Sequence, residues 1–357
     1  MKKTALTLTL ILVSLFSLIT LQFTALVTAN PYRPYPQYLP VIYIKNDGSI
    51  NPATTLIEHA GDVYTLTGNI INYSIVVQLG NTVIDGSGHT LQTNYPPGSQ
   101  WGYDDAITIF DVSNVTIRNF RIEGFSKGIT FSNSSYNNII GNSITECRED
   151  PVWLLSCSYS NIAENNITGN NMNGVYLRRS DNNSIANNSI AKNGAGICLS
   201  ISTNNKFVGN NDTLNAIGIV LSNASKNYFY LNNFVNNTNQ LYIWTEEQVP
   251  NFWDNGEAGN FWSNYNGTDA NGDGVGDSPF IVDTVEATNI TLWHSATLGN
   301  QQDSFPLMAL NVGQELPLPT NVPHPNNKLY SIEVYILAIA LISTFIGIGL
   351  LIYFKKR

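Results

Sequence analysis

Between Ala106 and Ile243 the apolar positions fall into a fixed rhythm. The segments Ala106-Ile107-Thr108-Ile109, Gly128-Ile129-Thr130-Phe131, Pro151-Val152-Trp153-Leu154, Gly174-Val175-Tyr176-Leu177, Gly196-Ile197-Cys198-Leu199, Gly218-Ile219-Val220-Leu221 and Gln240-Leu241-Tyr242-Ile243 start 22 or 23 residues apart. Their second and fourth positions are apolar throughout, the period-two alternation of a strand with one buried face. A second apolar set keeps step at Ile117, Ile140, Ile162, Ile185, Phe207 and Phe229, following the asparagine series Asn114, Asn138, Asn161, Asn183, Asn205 and Asn227. A third set is Ile122, Ile144, Ile167, Ile190 and Phe234. Each unit thus carries three short strands with Asn and Gly at the corners, where Asn tolerates left-handed backbone. Self-similarity at this period means a solenoid. A leucine-rich repeat of this length needs a helix or a leucine consensus, and the units carry neither. The pattern predicts an all-β, right-handed parallel β-helix.

The same pattern sets the expected borders. Residues 76–245 are the repeats. Residues 30–75 are an N-terminal cap built on Ile42 to Leu66, because an open solenoid end exposes backbone and core. Residues 246–308 are a C-terminal cap, with Phe252, Trp253, Phe261, Trp262 and Tyr265 as its lid. Prolines mark 309–333 as a semi-extended stalk. Lys2, Lys3, an apolar run and Val27-Thr28-Ala29 give 1–29 the form of a secretory signal peptide. Residues 334–354 are apolar and uncharged, long enough for a transmembrane helix. The basic tail 355–357 would face the cytoplasm. Together these predict a single-pass protein of the cell membrane with an extracellular ectodomain.

Composition narrows the partners. The formal charge is −9, and no basic patch for nucleic acid is present. Eleven Asn-x-Ser/Thr sequons occur, at Asn72, Asn114, Asn133, Asn166, Asn182, Asn187, Asn211, Asn223, Asn236, Asn266 and Asn289; attached glycans fit an exterior location. Cys147, Cys157 and Cys198 are no disulfide framework. A Cys147–Cys157 bridge is one option, and buried or free thiols are the preferred one.

Two constellations carry chemistry. Asp269-x-Asn271-x-Asp273-Gly274-Val275-Gly276-Asp277 spaces oxygen ligands as a Ca²⁺ loop does, with Asp269, Asn271, Asp273, Asp277 and the Val275 carbonyl as the set. Phe280 stands where a closing carboxylate is usual, and Asp283 or Asp303 would have to substitute. The expected role is structural. The other constellation is the outward third position of each unit: Thr108, Thr130, Trp153, Tyr176, Cys198, Val220 and Tyr242. It makes Trp153 and Tyr176 neighbours, flanked by Asp104-Asp105, Lys127 and Glu149-Asp150, with Arg178 beyond. Aromatic faces for sugar rings, plus carboxylates and cations for hydroxyls, form a glycan-binding face for a polysaccharide or a cell-surface glycoprotein. Asp105 and Asp150, two coils apart at about 9–10 Å, are the candidate catalytic pair of the alternative, a polysaccharide lyase or an inverting glycoside hydrolase.

The run Asn81-Thr82-Val83-Ile84-Asp85-Gly86-Ser87-Gly88-His89-Thr90-Leu91 resembles a first-coil motif of NosD-like β-helix proteins. Asn260 to Tyr265, Asp269 to Pro279 and Gln301 to Met308 resemble the close of such domains in archaeal membrane-anchored surface proteins. The wider class is the carbohydrate-binding and sugar-hydrolase β-helix group, related in fold to pectate lyases. The family's name comes from a factor for copper-site maturation, so the resemblance implies copper handling as a further alternative. Copper favours Cys, Met and His. The candidate ligands His59, His89, His294, His324, Met172, Met308 and the three cysteines are scattered, and copper is not expected.

Overall fold

The computed structural model describes residues 39–94, 104–244, 250–282 and 301–311. The expected signal peptide, transmembrane segment and basic tail, and most of the stalk, lie outside them, as do Asp283, Asn289, His294 and His324. No helix among the described residues is long and apolar enough to cross a membrane.

The chain winds into a parallel β-solenoid of about eight coils. Three sheets run along it: sheet A with ten strands, sheet B with nine, from Ile57–Ala60 to Tyr228–Tyr230, and sheet C with nine, from Ile70–Ile71 to Phe261–Trp262. Sheet A contains Asp105–Phe110, Lys127–Ser132, Val152–Leu155, Asn173–Arg178, Ala195–Ser200, Ile217–Ser222 and Asn239–Trp244. Its register aligns Thr108, Thr130, Trp153, Tyr176, Cys198, Val220 and Tyr242 in one outward column, as the alternation predicts. The flanking apolar positions are buried, Ile243 in the last strand only partly.

Sheet B corrects the sequence reading at one coil. Its buried column runs Ile117, Ile139, Ile162, Ile185, Phe207, Phe229, so Ile139 faces in and Ile140 faces out. The asparagine ladder shifts with it. Asn137, Ser160, Asn183, Asn205, Asn227 and Asn251 stack at the A–B corner. Asn114, Asn138 and Asn161 lie beside that ladder, not in it.

Two further ladders line the other corners. Asn142, Asn165, Asn188, Asn210, Asn232 and Asn260 form one, and Asn170, Asn193, Asn215 and Asn237 the other. In each step an asparagine's backbone N–H donates to the side-chain oxygen one coil on. Asn188, for example, donates from N and Nδ2 to Asn210 Oδ1 at 3.0 and 2.9 Å, and from Nδ2 to the Ile162 carbonyl at 2.8 Å. The corners turn the chain out of the sheets, and these amides satisfy the polar groups that turning would strand. A stranded buried group costs about 1–3 kcal/mol.

Both ends are closed. Val41–Ile44 already pairs in parallel with Ser74–Val77, and the hairpin of Ile57–Ala60 and Val63–Leu66 covers the first edge of sheet B. The solenoid therefore starts inside the expected cap. At the other end Trp253 stacks on Phe229 and Trp262 on Phe234, at 4.7 and 4.4 Å. Both tryptophans are buried, as a lid requires. Asp303 ties this cap together, accepting from Trp262 Nε1 at 2.8 Å, Asn260 N at 2.7 Å and Phe305 N at 3.1 Å. Burial lifts its carboxyl to about 6 against those donors. Its two oxygens are engaged by the cap's own donors.

Candidate functional site

The outward face of sheet A gathers most of the residues expected of a site. Lys127 pairs with Asp105 across the sheet. Its Nζ lies 2.7 Å from Glu149 and 3.7 Å from Asp105. It also sits 4.9 Å from the centroid of the Trp153 ring, a cation–π distance. Burial pulls the lysine down, but Asp105 and Glu149 outweigh it and hold the ammonium above its ordinary value. One face of Trp153 is thus taken by the ammonium, which the sequence pattern did not foresee.

The carboxylates are held by Thr130 of the outward column and by two residues that pattern did not single out, Asn173 and Leu39. Thr130 donates to Asp105 Oδ2 at 2.6 Å. Asn173 donates to Asp150 Oδ1 from N at 3.1 Å and Nδ2 at 2.7 Å. Asp104 receives the Leu39 N–H at 2.9 Å. Burial raises Asp104, Asp105 and Asp150 above the usual carboxylate range, and the donors and cations only partly offset it. Gly128 is what lets the chain close up here: a Cβ on it would meet the Pro151 carbonyl at 2.5 Å. Tyr176 is half-buried beside half-buried Trp153, while Arg178 is exposed on the outer flank. Burial pushes the neighbouring Cys198 thiol up to about 12.

One polar atom in this face is left over. Trp153 Nε1 is buried and has no hydrogen-bond partner. A buried indole N–H normally finds one. The face offers an unspent donor, two half-buried aromatic rings and carboxyls raised by burial, a set suited to hydroxyl groups. A separate open groove of about 550 Å³ at the B–C corner, lined by Asp85, Arg121 and Glu164, lies away from these groups.

The expected calcium residues meet in one loop that closes on itself. Asp269 accepts from the N–H groups of Gly272, Asp273 and Gly274, Asp273 from Val275, and Asp277 from Ala270. Asn271 Nδ2 donates to Asp273. The loop also holds the chain's return: Gly274 accepts from Met308 N, and Gly276 donates to the Pro306 carbonyl. Among the described sequon asparagines Asn211 alone is buried, at 1% exposure against Asn233; its amide is closed to glycosyl transfer in the folded chain. Cys147 and Cys157 are free buried thiols, not a bridge.

Residues 68–267 match the family described as periplasmic copper-binding protein (NosD). No curated protein sequence matches the chain. Among solved structures, the periplasmic alginate epimerase AlgG matches at 16% identity and TM-score 0.36, over 57% of this chain and 72% of that one. The DFA-IIIase of Arthrobacter chlorophenolicus A6 matches at 12% and 0.43, over 54% and 56%. The tailspike gp49 of Acinetobacter baumannii bacteriophage Fri1, a capsular polysaccharide depolymerase, matches at 9% and 0.35, over 53% and 43%. The chain thus spans about half of the last two.

The family description raises copper, and the donor set answers it. Cys147 and Cys157 lie in the core with burial raising both thiols, whereas copper takes the thiolate. His59 stacks on Tyr64 in the N-terminal cap. No three His, Cys, Asp or Glu residues among those described are grouped to hold a metal ion. These residues do not fit copper. By sequence, over more than half of its 357 residues, the chain belongs to the NosD family.

Proposed function

We propose that this protein is an extracellular solenoid that binds glycans across the Trp153–Tyr176 face of sheet A, presented from the membrane by the apolar segment 334–354. The observation that carries this reading is the unpartnered Trp153 Nε1 beside Lys127, Glu149 and Asp150. A sugar hydroxyl accepting from it would relieve a buried donor. The partner is a polysaccharide or the glycan of a neighbouring surface protein. Calorimetric titration of the full-length protein with a polysaccharide panel tests it. Trp153→Phe keeps the ring over Lys127 and removes only the donor, so binding should weaken about five- to tenfold. Trp153→Ala should weaken it further. Equal affinity in all three proteins refutes the site.

Glycoside hydrolysis is the second reading, favoured by the raised carboxyls of Asp105 and Asp150 on one face. It requires reducing-end product that disappears in Asp105→Asn or Asp150→Asn. We further propose that the Asp269–Asp277 loop takes a structural Ca²⁺. The support is its ligand spacing and its place where residues 306–308 dock.

A further inference from the structure

The A–B corner repeats a left-handed residue once per coil. Asn114, Tyr136, Tyr159, Asn182, Asn204 and Lys226 occupy it, all with φ between 55° and 58°. Their sequence continuity across coils is carried by Asn114 N donating to Ser135 O and Tyr136 N to Ser158 O, and by the bridge of Ser158 to Asp181. Asparagine suits this backbone because its short side chain tolerates the left-handed region. Tyrosine does not, and a bulky residue there is a strained exception. Lys226 fills the position with a flexible chain, whereas Tyr136 and Tyr159 set two rigid rings there on consecutive coils.

The strain is not repaid by burial. Tyr136 and Tyr159 remain 59% and 56% exposed. Their rings stack on each other at 5.2 Å and 11°, which recovers part of the cost and also fixes both rings in one orientation. In the same corner column Asn114 precedes the pair by one coil and Asn182 follows it by one, and both are exposed. A rigid aromatic face with a carboxamide one coil away matches a pyranose ring. The sugar's C–H face packs on the ring, and the amide bonds its hydroxyls. The near flank carries Ser135, Ser158, Asn114 and Asn182, and the charged residue in register with Ser158 is the acid Asp181, which suits a neutral hexose rather than a uronate.

We propose that the Tyr136–Tyr159 pair is a second carbohydrate site, for neutral hexopyranose chains, independent of the sheet A face. The test compares the full-length protein with the double variant Tyr136→Asn/Tyr159→Asn, titrated with cellohexaose. Asparagine is the corner's own residue, so the variant should fold with an unchanged or higher Tm. Cellohexaose affinity should fall about tenfold, the loss of an aromatic stacking contact. Tyr136→Phe/Tyr159→Phe should keep it. Trp153→Ala is run alongside to separate the two sites. Loss in the asparagine pair with Trp153→Ala intact supports this site even if the sheet A reading fails. Loss confined to Trp153→Ala, equal affinity in the asparagine pair, or no cellohexaose binding by the wild-type protein overturns it.

Discussion

Asp212 occupies a core position, and its removal should stabilise the protein in a pH-dependent way. In sheet C the inward column runs through Ile190 and Phe234 with Asp212 between them. The side chain is fully buried. Asn215 Nδ2 donates to Oδ1 at 2.8 Å, while Oδ2 has no partner. Burial drives the carboxyl well above 3.8, and the amides of Asn215 and Asn237 do not compensate. Because the folded value is raised, its contribution to stability is complete below the unfolded value and is lost as pH rises through the folded one. Over that interval each pH unit costs the wild-type protein about 1.4 kcal/mol relative to a neutral side chain. Asp212→Asn keeps the shape and the Asn215 contact but cannot ionise. Its Tm should match wild type near pH 4 and exceed it by roughly 3–5 °C per pH unit above that, until the folded carboxyl ionises. Scanning calorimetry of both proteins from pH 4 to about 8 reads this directly. Parallel Tm curves would refute the account. The site has a second lever: a Cβ on Gly196 would stand 1.8 Å from Asp212 Oδ2. Gly196→Ala should destabilise the wild-type protein and cost much less in an Asp212→Ala background, because the two changes share one space.

The corner ladders predict a contrast between two asparagines of one corner-rich coil. Asn188→Ala takes the acceptor from the Asn165 N–H and from one Nδ2 hydrogen of Asn165, whose other bond to the Ile139 carbonyl remains, and the donor from the Ile162 carbonyl, so it should cost about 3 kcal/mol. Exposed Asn182→Ala should cost about 1 kcal/mol or less; equal shifts in urea unfolding would contradict the ladder's role. For the loop at Asp269–Asp277, added Ca²⁺ should raise Tm in the wild-type protein and not in Asp273→Ala. No difference between calcium and a chelator in either protein would reduce the loop to the closed turn its hydrogen bonds already make.

The sheet A register was legible because its outward and inward residues differ in kind: Trp153 and Tyr176 alternate with Val152, Leu154, Val175 and Leu177. Sheet B was less so at Asn137-Asn138-Ile139-Ile140, where each residue type occurs twice in a row. Periodicity alone cannot choose between adjacent identical residues, and a slip of one exchanges the two faces. Ser160 compounded this by filling an asparagine position, its hydroxyl accepting from Asn137 as an amide oxygen would. Asp212 was passed over because an apolar ladder is found by its apolar members. The site's columns follow from backbone register, so sequence placed Lys127, Asp105 and Asp150 on one face. Its electrostatics follow from side-chain rotamers: Lys127 over Trp153, Thr130 on Asp105 and Asn173 on Asp150 have no period to betray them. Asparagine serves this chain in two unlike ways, as the buried ladder that satisfies corner amides and as the exposed left-handed corner residue. Composition merges the two, which is why Tyr136 and Tyr159 look unremarked in the sequence. Only when the corner column is separated from the ladder do they stand out as the places where asparagine was given up for an exposed ring.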